Sequence, residues 1–296
     1  MPVGKKAPVR LGEDLMSETT TTTDAPNKRT LGDIRRSMLA PKSYKAALSI
    51  FRCFPNPLDV VSRYALESGS YPCAISIRTP IGLRKVMMYS FHDVRSLVVC
   101  FAKEDYGVGP GVNCAVDFGS NIGMSGLYFL TRNASAKVYL FEPLPGNVAR
   151  LRDNLRGLER RYVLEQSAIG LADGTAKFLY EPTGRYGGIK DTLDLHEEIE
   201  RPYTLEVSTL CAATCLRRII EKEKFIDVLK LNIEGLETEV IKSLTPDILD
   251  NIGLICAEIF DFPGEVEGFC KAKYGSNITR FTKLQSAVAR PRAAGA

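Results

Sequence analysis

At 296 residues and 45% hydrophobic content, the chain is long enough to bury one substantial core, and no apolar run approaches the roughly 18 residues a membrane-spanning helix needs. The formal charge of +4 is local: residues 1–45 hold nine Lys/Arg and five Asp/Glu, so the remainder is neutral. That excludes a broad basic face for nucleic acid. Eight cysteines occur without C-x-x-C pairs, and Cys100, Cys114 and Cys256 lie inside apolar runs, as reduced core thiols of a cytoplasmic protein would.

Residues 1–43 carry the run Thr19 to Thr23, prolines and many charges without apolar periodicity, a composition that predicts a disordered tail. They lack the apolar centre of a secretion signal, and Glu13, Asp14, Glu18 and Asp24 argue against a transit peptide. Residues 44–110 read as a helical and hairpin extension. Helical spacing covers Tyr44 to Phe54 and Leu58 to Leu66, a hairpin joins Ala74–Arg78 to Leu83–Tyr89 through Thr79-Pro80-Ile81-Gly82, and a helix runs from Asp93 to about Lys103. The main domain is expected over 111–285, with a flexible end over 286–296.

The segment Cys114 to Pro143 reads as strand, glycine turn, helix and second strand. Cys114–Phe118 is an apolar run broken only by Asp117 near its end, Gly119 and Gly123 flank the turn, and Glu142 caps Lys137–Phe141. This is a β-α-β nucleotide unit whose second acid meets ribose hydroxyls. A dinucleotide fingerprint places glycines at relative positions 0, 2 and 5, whereas Gly119, Gly123 and Gly126 stand at 0, 4 and 7. Asp117 would also repel a pyrophosphate. S-adenosyl-L-methionine, which has no phosphate but carries a sulfonium and an ammonium, suits Asp117, and Glu142 can accept from its ribose. The bland alternative is that the glycines only turn the chain and Asp117 caps a helix.

Downstream, helices are expected at Asn147–Leu158, Cys211–Lys222 and Leu236–Leu244, and strands at Tyr162–Gln166, Ala176–Tyr180, Tyr203–Leu210, Asp227–Leu231 and Leu254–Ile259. Alternating strands and helices predict an α/β fold with a mostly parallel sheet and helices on both faces. Ligands of such sheets sit at the strand carboxyl ends, so Asp117, Glu142, Ser167, Asn232 and Glu258 should share one crevice. After Asp261 only one strand, Asn277–Leu284, is clear, which leaves the C-terminal edge incomplete or rearranged. Cys211 and Cys215 stand one turn apart with no second ligand pair, so no metal is expected. Two histidines and no P-loop lysine disfavour hydrolase and zinc chemistry.

The runs VDFGSNIGMSGLYF, LFEPLPGNVARLRDNL, SAIG followed by DGTAKF, and VLKLNIEGLETEVIKSL resemble, in order and spacing, the FkbM-type methyltransferases over roughly residues 73–260. The resemblance implies a class I methyltransferase (Rossmann-like) fold, S-adenosyl-L-methionine as cofactor, and methylation of a hydroxyl on a sugar, polyketide or other secondary metabolite. The family's cofactor motif falls on Asp117, Gly119, Asn121 and Gly123, with Ser120 inside it. Its ribose acid falls on Glu142, followed by Pro143, and Ser167 and Ala168 match the segment bordering the adenine. Members commonly carry an acid where this chain has Asn232.

Hydroxyl methylation needs an oriented acceptor and benefits from a base. Glu234, Lys230 and, on the insert Glu181 to Pro202, His196 are the candidates, and the glycines of that insert suit a lid. Each also has a structural reading: Lys230 and Glu234 as a pair, Glu234 as a helix cap, His196 as a solvated residue. The expected partner is a small-molecule acceptor, with no nucleic acid or membrane, and a homo-oligomer is compatible. A non-catalytic binding protein of the same fold and a macromolecular N-methyltransferase are the alternatives; the latter usually carries Asn/Asp-Pro-Pro-aromatic where Asn232-Ile233-Glu234-Gly235 stands.

Overall fold

The computed structural model describes residues 48–181, 183–184, 186–190, 192, 202–259, 261–274 and 278–284. The expectations for 1–43, for 286–296 and for His196 lie outside the described residues.

The centre is a seven-stranded sheet: β3 (Cys114–Phe118), β4 (Lys137–Phe141), β5 (Tyr162–Glu165), β10 (Ile226–Leu231), β11 (Ile252–Glu258), β12 (Phe269–Tyr274) and β13 (Ile278–Lys283). Its order is β12-β13-β11-β10-β3-β4-β5. The five strands from β11 to β5 are parallel, whereas β13 runs antiparallel to β11 and β12 antiparallel to β13. Every residue of β3 is buried, as a central parallel strand covered on both faces requires. This is the mostly parallel α/β sheet that the strand–helix alternation predicts, and the class I methyltransferase (Rossmann-like) fold that the family resemblance implies.

The C-terminal edge corrects the sequence expectation, because β12 and β13 close the sheet as a hairpin. β12 is hard to read from sequence because only Phe269 of its six residues is buried, so it shows no apolar alternation. Lys271 and Lys273 stand on this outermost strand, a feature that discourages edge-to-edge pairing.

A second correction concerns the strands expected to extend the parallel sheet. β6 (Ala168–Gly170), β7 (Gly174–Tyr180), β8 (Gly187–Ile189) and β9 (Tyr203–Cys211) form a separate four-stranded sheet in the order β6-β9-β7-β8. Its small core is Leu144, Ala168, Phe178 and Val207.

Helices cover both faces of the central sheet. On one side, α1 (Pro57–Leu66), the hairpin of β1 (Cys73–Thr79) and β2 (Gly82–Met88), and α2 (Phe91–Phe101) share a core with α3 (Met124–Leu130) and α4 (Pro145–Asn154). On the other, α5 (Ala212–Glu223), α6 (Glu237–Ser243) and α7 (Pro246–Leu249) pack over β3, β10 and β11. Helix α2 starts in a capping box, with Ser90 and Asp93 each receiving the other's backbone N–H. Helix α4 stops short of the expected Leu158 because Gly157 turns the chain at φ +83°. No described helix is long and apolar enough to cross a membrane.

Candidate active site

The parallel register of β3 and β10 sets Lys230 directly beside Asp117. Both side chains are buried, and Lys230 Nζ lies 2.8 Å from Asp117 Oδ1. That contact is an ion pair rather than a directed hydrogen bond. Ser125 Oγ donates to Asp117 Oδ2 at 2.6 Å. Lys230 Nζ also donates to Gly119 O at 2.5 Å and Phe118 O at 3.4 Å. Asp117 is therefore answered inside the protein and lines neither cavity described below. The expected direct contact between Asp117 and a sulfonium or ammonium is not what this geometry offers; the acid anchors the turn above it. Lys230, with its ammonium held by three oxygens, is likewise not poised as a proton acceptor.

The turn itself depends on backbone. Gly119 has φ +81°, and a Cβ there would lie 1.8 Å from Asn232 O, so glycine is required. Gly119 N and Ser120 N both donate to Phe141 O, at 3.1 and 2.9 Å. Ser120 Oγ donates to Asp117 O and accepts from Phe141 N, which makes buried Ser120 a staple between β3 and β4. Asn121 adopts φ +48°, and its Oδ1 accepts from Ile122 N at 2.6 Å. Gly123, at φ +91°, precedes α3, and a Cβ there would press on Leu151 at 3.0 Å.

A first cavity of about 560 Å³ opens over this turn. The turn residues Gly119 and Asn121 form one wall, Glu142-Pro143-Leu144 a second, Ser167-Ala168-Ile169 a third, and Asn232-Ile233-Glu234 a fourth. Glu142, only 5% exposed, accepts from Asn121 N at 2.9 Å, Leu144 N at 3.1 Å and Asn147 Nδ2 at 3.2 Å. Burial nevertheless pushes its carboxyl up to about 7, against the pull of those donors. Ser167 Oγ is buried and has no hydrogen-bond partner among the described residues, and Ser167 lines this cavity. Part of the insert completes the wall: Gly184 O accepts from Asn147 Nδ2 at 2.8 Å, and Gly187 and Ile189 of β8 line the same space.

A larger cavity of about 1160 Å³ adjoins the first, and Gly119, Asn121, Asn232 and Glu234 line both. Its other walls come from α2 (His92, Arg95, Ser96), from Asp105 and Tyr106, and from Glu258 at the end of β11. Glu234 therefore stands where the two spaces meet, in a left-handed conformation at φ +55°, rare for a non-glycine residue and typical of functional turns. Asn232, at the position of the family's usual acid, faces both cavities and adds no charge between them.

Glu237 holds this conformation. Its buried carboxylate accepts from Ile233 N at 2.6 Å, Glu234 N at 2.8 Å and Gly235 N at 3.0 Å. Sequence reasoning missed it, although an acid at the first position of α6, three residues past Glu234, is the available signal. It also missed His92, Asp105 and Tyr106, which belong to the N-terminal extension and carry no strand-end signature. Among the described residues no cluster of three or more His, Cys, Asp or Glu could hold a metal ion.

Of the expected site residues, Gly119, Asn121, Glu142, Pro143, Ser167, Ala168 and Glu234 line the first cavity together. Asp117, Ser120, Gly123 and Lys230 shape it from behind or beside.

Comparison with known proteins agrees with this architecture. A family model described as the methyltransferase FkbM domain matches residues 117–283. No curated protein matches the chain in sequence. Among solved structures, an rRNA methylase from Streptococcus thermophilus is similar at 11% identity and TM-score 0.34, covering 61% of this chain and 92% of that one. A methyltransferase from Geobacter sulfurreducens is similar at 12% identity and TM-score 0.34, covering 64% and 77%. A methyltransferase FkbM from Methylobacillus flagellatus is similar at 13% and TM-score 0.31, covering 74% of this chain and 51% of that one. These likenesses are too distant to carry an activity.

Proposed function

The chain belongs to the FkbM methyltransferase family, and on that premise we propose that it methylates a hydroxyl (or carboxyl) group of a small molecule, with S-adenosyl-L-methionine as donor. The observation that carries the reading is the meeting of two cavities at Gly119, Asn121, Asn232 and Glu234. One is bounded by Glu142, Ser167 and the glycine turn; the other is larger and has walls of its own from α2, Asp105, Tyr106 and Glu258.

The first cavity fits the donor on two features of its own. Glu142 offers a buried carboxylate to ribose hydroxyls, and the orphan Ser167 Oγ offers a donor and an acceptor beside the expected adenine position. Bound there, S-adenosylmethionine supplies a methyl group whose bonding electrons stay on sulfur as an acceptor oxygen takes the carbon. The chain's own contribution is to orient the acceptor in the second cavity, exclude water, and receive its proton on Glu234, the carboxylate at the junction. Glu237 keeps Glu234 in that position by accepting hydrogen bonds from the backbone N–H groups of Ile233, Glu234 and Gly235.

Retention of Glu142, Ser167 and the glycine turn favours catalysis over a binding protein that has lost its donor site. Asn232-Ile233-Glu234-Gly235 favours an oxygen acceptor over a macromolecular amine. Calorimetry with S-adenosylmethionine and with NAD is the test: the first should bind in the micromolar range, and Glu142→Ala should abolish it in a folded protein. NAD binding in place of S-adenosylmethionine would refute the reading. Glu234→Gln should depress turnover with little change in donor affinity.

A further inference from the structure

Two asparagines join the acid of the first cavity to a hairpin tip that stands between the two spaces. Asn147, 3% exposed on the first turn of α4, donates through Nδ2 to Glu142 Oε1 at 3.2 Å and to Gly184 O at 2.8 Å. An amide nitrogen carries two N–H groups, so both bonds form together, and the two acceptors settle which end of the amide faces them. Asn121 repeats the link from the glycine turn: its backbone N donates to Glu142 Oε2 at 2.9 Å, and its Nδ2 reaches Gly184 O at 3.5 Å. The Glu142 carboxylate and the Gly184 carbonyl are thus bridged twice, once through each carboxylate oxygen.

The tip connects β7 to β8, a pairing of three rungs in which β8 is the outermost strand of the second sheet. Gly184 N donates to Glu181 O and Glu181 N to Tyr186 O, so the tip closes on itself. Gly184 sits against Asn147 at φ +75°, where a Cβ would come within 2.7 Å of Asn147 Oδ1. Arg150, one turn along α4, donates from Nη1 to Thr183 O at 3.0 Å. A short hairpin on a sheet edge belongs to the low-stability end of a fold, where a single hydrogen bond changes how firmly it is placed.

Both cavities depend on where this tip lies. Gly184, Gly187 and Ile189 line the first, while Tyr186, between them in sequence, lines the larger one. A ribose on Glu142 would hold the carboxylate that both asparagines bond, and with it the carbonyl they share. Burial raises the empty Glu142 carboxyl to about 7; ribose hydroxyls favour its ionised form, which is the stronger acceptor for Asn147.

We propose that Asn147 is a positioning residue that carries occupancy of Glu142 by the donor to Gly184, so that the bound donor secures the Tyr186 wall of the larger cavity. The inference rests on the first cavity being the donor site of the methyltransferase reading. Its consequence is an order of events: the acceptor meets a secured wall only after the donor has entered.

The test is amide hydrogen exchange of the full chain with and without S-adenosylhomocysteine, read on peptides carrying Gly184 and Tyr186. Ligand is set at concentrations that calorimetry shows to saturate each variant, which separates the coupling from affinity. In the wild type the ligand should slow exchange at the tip by about 5- to 20-fold, the worth of one or two hydrogen bonds. In Asn147→Ala that slowing should shrink to within about twofold at saturation, while affinity falls only about 3- to 10-fold. Arg150→Ala cuts the tie to Thr183 O without touching Glu142; exchange should quicken in both states and the ligand's slowing stay within about twofold of wild type. Should Asn147→Ala fail to fold, Gly184→Ala disturbs the same seat and should likewise lose the slowing. Full slowing in Asn147→Ala, its equal loss in Arg150→Ala, or none in a wild type that binds the ligand overturns the inference. A wild type that binds neither S-adenosylhomocysteine nor S-adenosylmethionine refutes the methyltransferase reading instead.

Discussion

Replacing Glu142 by Gln tests the electrostatics of the donor cavity, and its effect depends on pH. Burial raises this carboxyl from the usual 4.5 to about 7. The folded state therefore binds the proton more tightly than the unfolded chain, and Glu142 lowers stability progressively as pH rises from about 4.5 to about 7. For these two values the cost is about 1 kcal/mol at pH 5 and about 3 kcal/mol at pH 8, a difference of about 2.5 kcal/mol. Gln removes that component. It also turns an amide NH2 toward one of the three donors that Glu142 accepts from, a pH-independent cost of about 1–3 kcal/mol. The variant should match or exceed the wild type in stability at pH 8 and fall below it at pH 5. Urea unfolding followed by circular dichroism reads this, since the chain has no Trp. A stability difference that stays constant to within about 0.5 kcal/mol from pH 5 to pH 8 would show that Glu142 titrates normally and would refute the reasoning. Wild-type affinity for S-adenosylmethionine should in parallel fall roughly tenfold per unit below pH 7, because only the carboxylate accepts from both ribose hydroxyls.

Three further outcomes are expected. Gly119→Ala puts a Cβ within 1.8 Å of Asn232 O at φ +81° and should lower stability by about 1–3 kcal/mol or more and abolish donor binding; thermal unfolding close to wild type would contradict it. Lys230→Met leaves Asp117 charged, buried and unpaired, and should cost about 3–5 kcal/mol. Adding Asp117→Asn should recover a large part of that loss in a double-mutant cycle, and additive losses would deny the coupling. Ser167→Ala removes a hydroxyl without a partner, so stability should stay within about 0.5 kcal/mol while donor affinity drops about 3- to 10-fold; unchanged affinity by calorimetry would remove Ser167 from the donor site.

What the sequence reveals and what it conceals divide along a physical line. β3, the Gly119 turn, α3 and β4 are legible because their requirements are local: an apolar run of strand length, a glycine where φ is positive, and an acid closing each strand. The split of β6–β9 into a second sheet is not legible, since alternation predicts a strand but not which neighbour accepts its hydrogen bonds. β12 escapes for the related reason that an outer strand with one buried residue has no apolar pattern. Asp105 and Tyr106 follow α2 in an irregular stretch, where their meaning arises only when the extension folds over the strand ends. Glu237 was readable in principle, as an acid at a helix start, but its three amide partners follow from the left-handed turn at Glu234.

Asp117 and Glu142 show how register divides labour between residues that look alike in sequence. Both are acids at the ends of adjacent parallel strands, and both are almost wholly buried. The pairing of β10 with β3 brings a lysine to Asp117, so its charge is neutralised within the fold and spent on holding the turn. β4 pairs on its other side with β5, which carries Leu164 and Glu165 at its carboxyl end, and among the described residues no cation forms an ion pair with Glu142. Its hydrogen bonds come from neutral donors, and these together with the more distant charge of Lys230 do not offset burial, which leaves its pKa near 7 beside the cavity. A Lys placed to pair with Glu142 should stabilise the apoprotein and, on the proposed reading, weaken its hold on a ribose; the lack of an ion-pair partner among the described residues is what suits this second acid to that role.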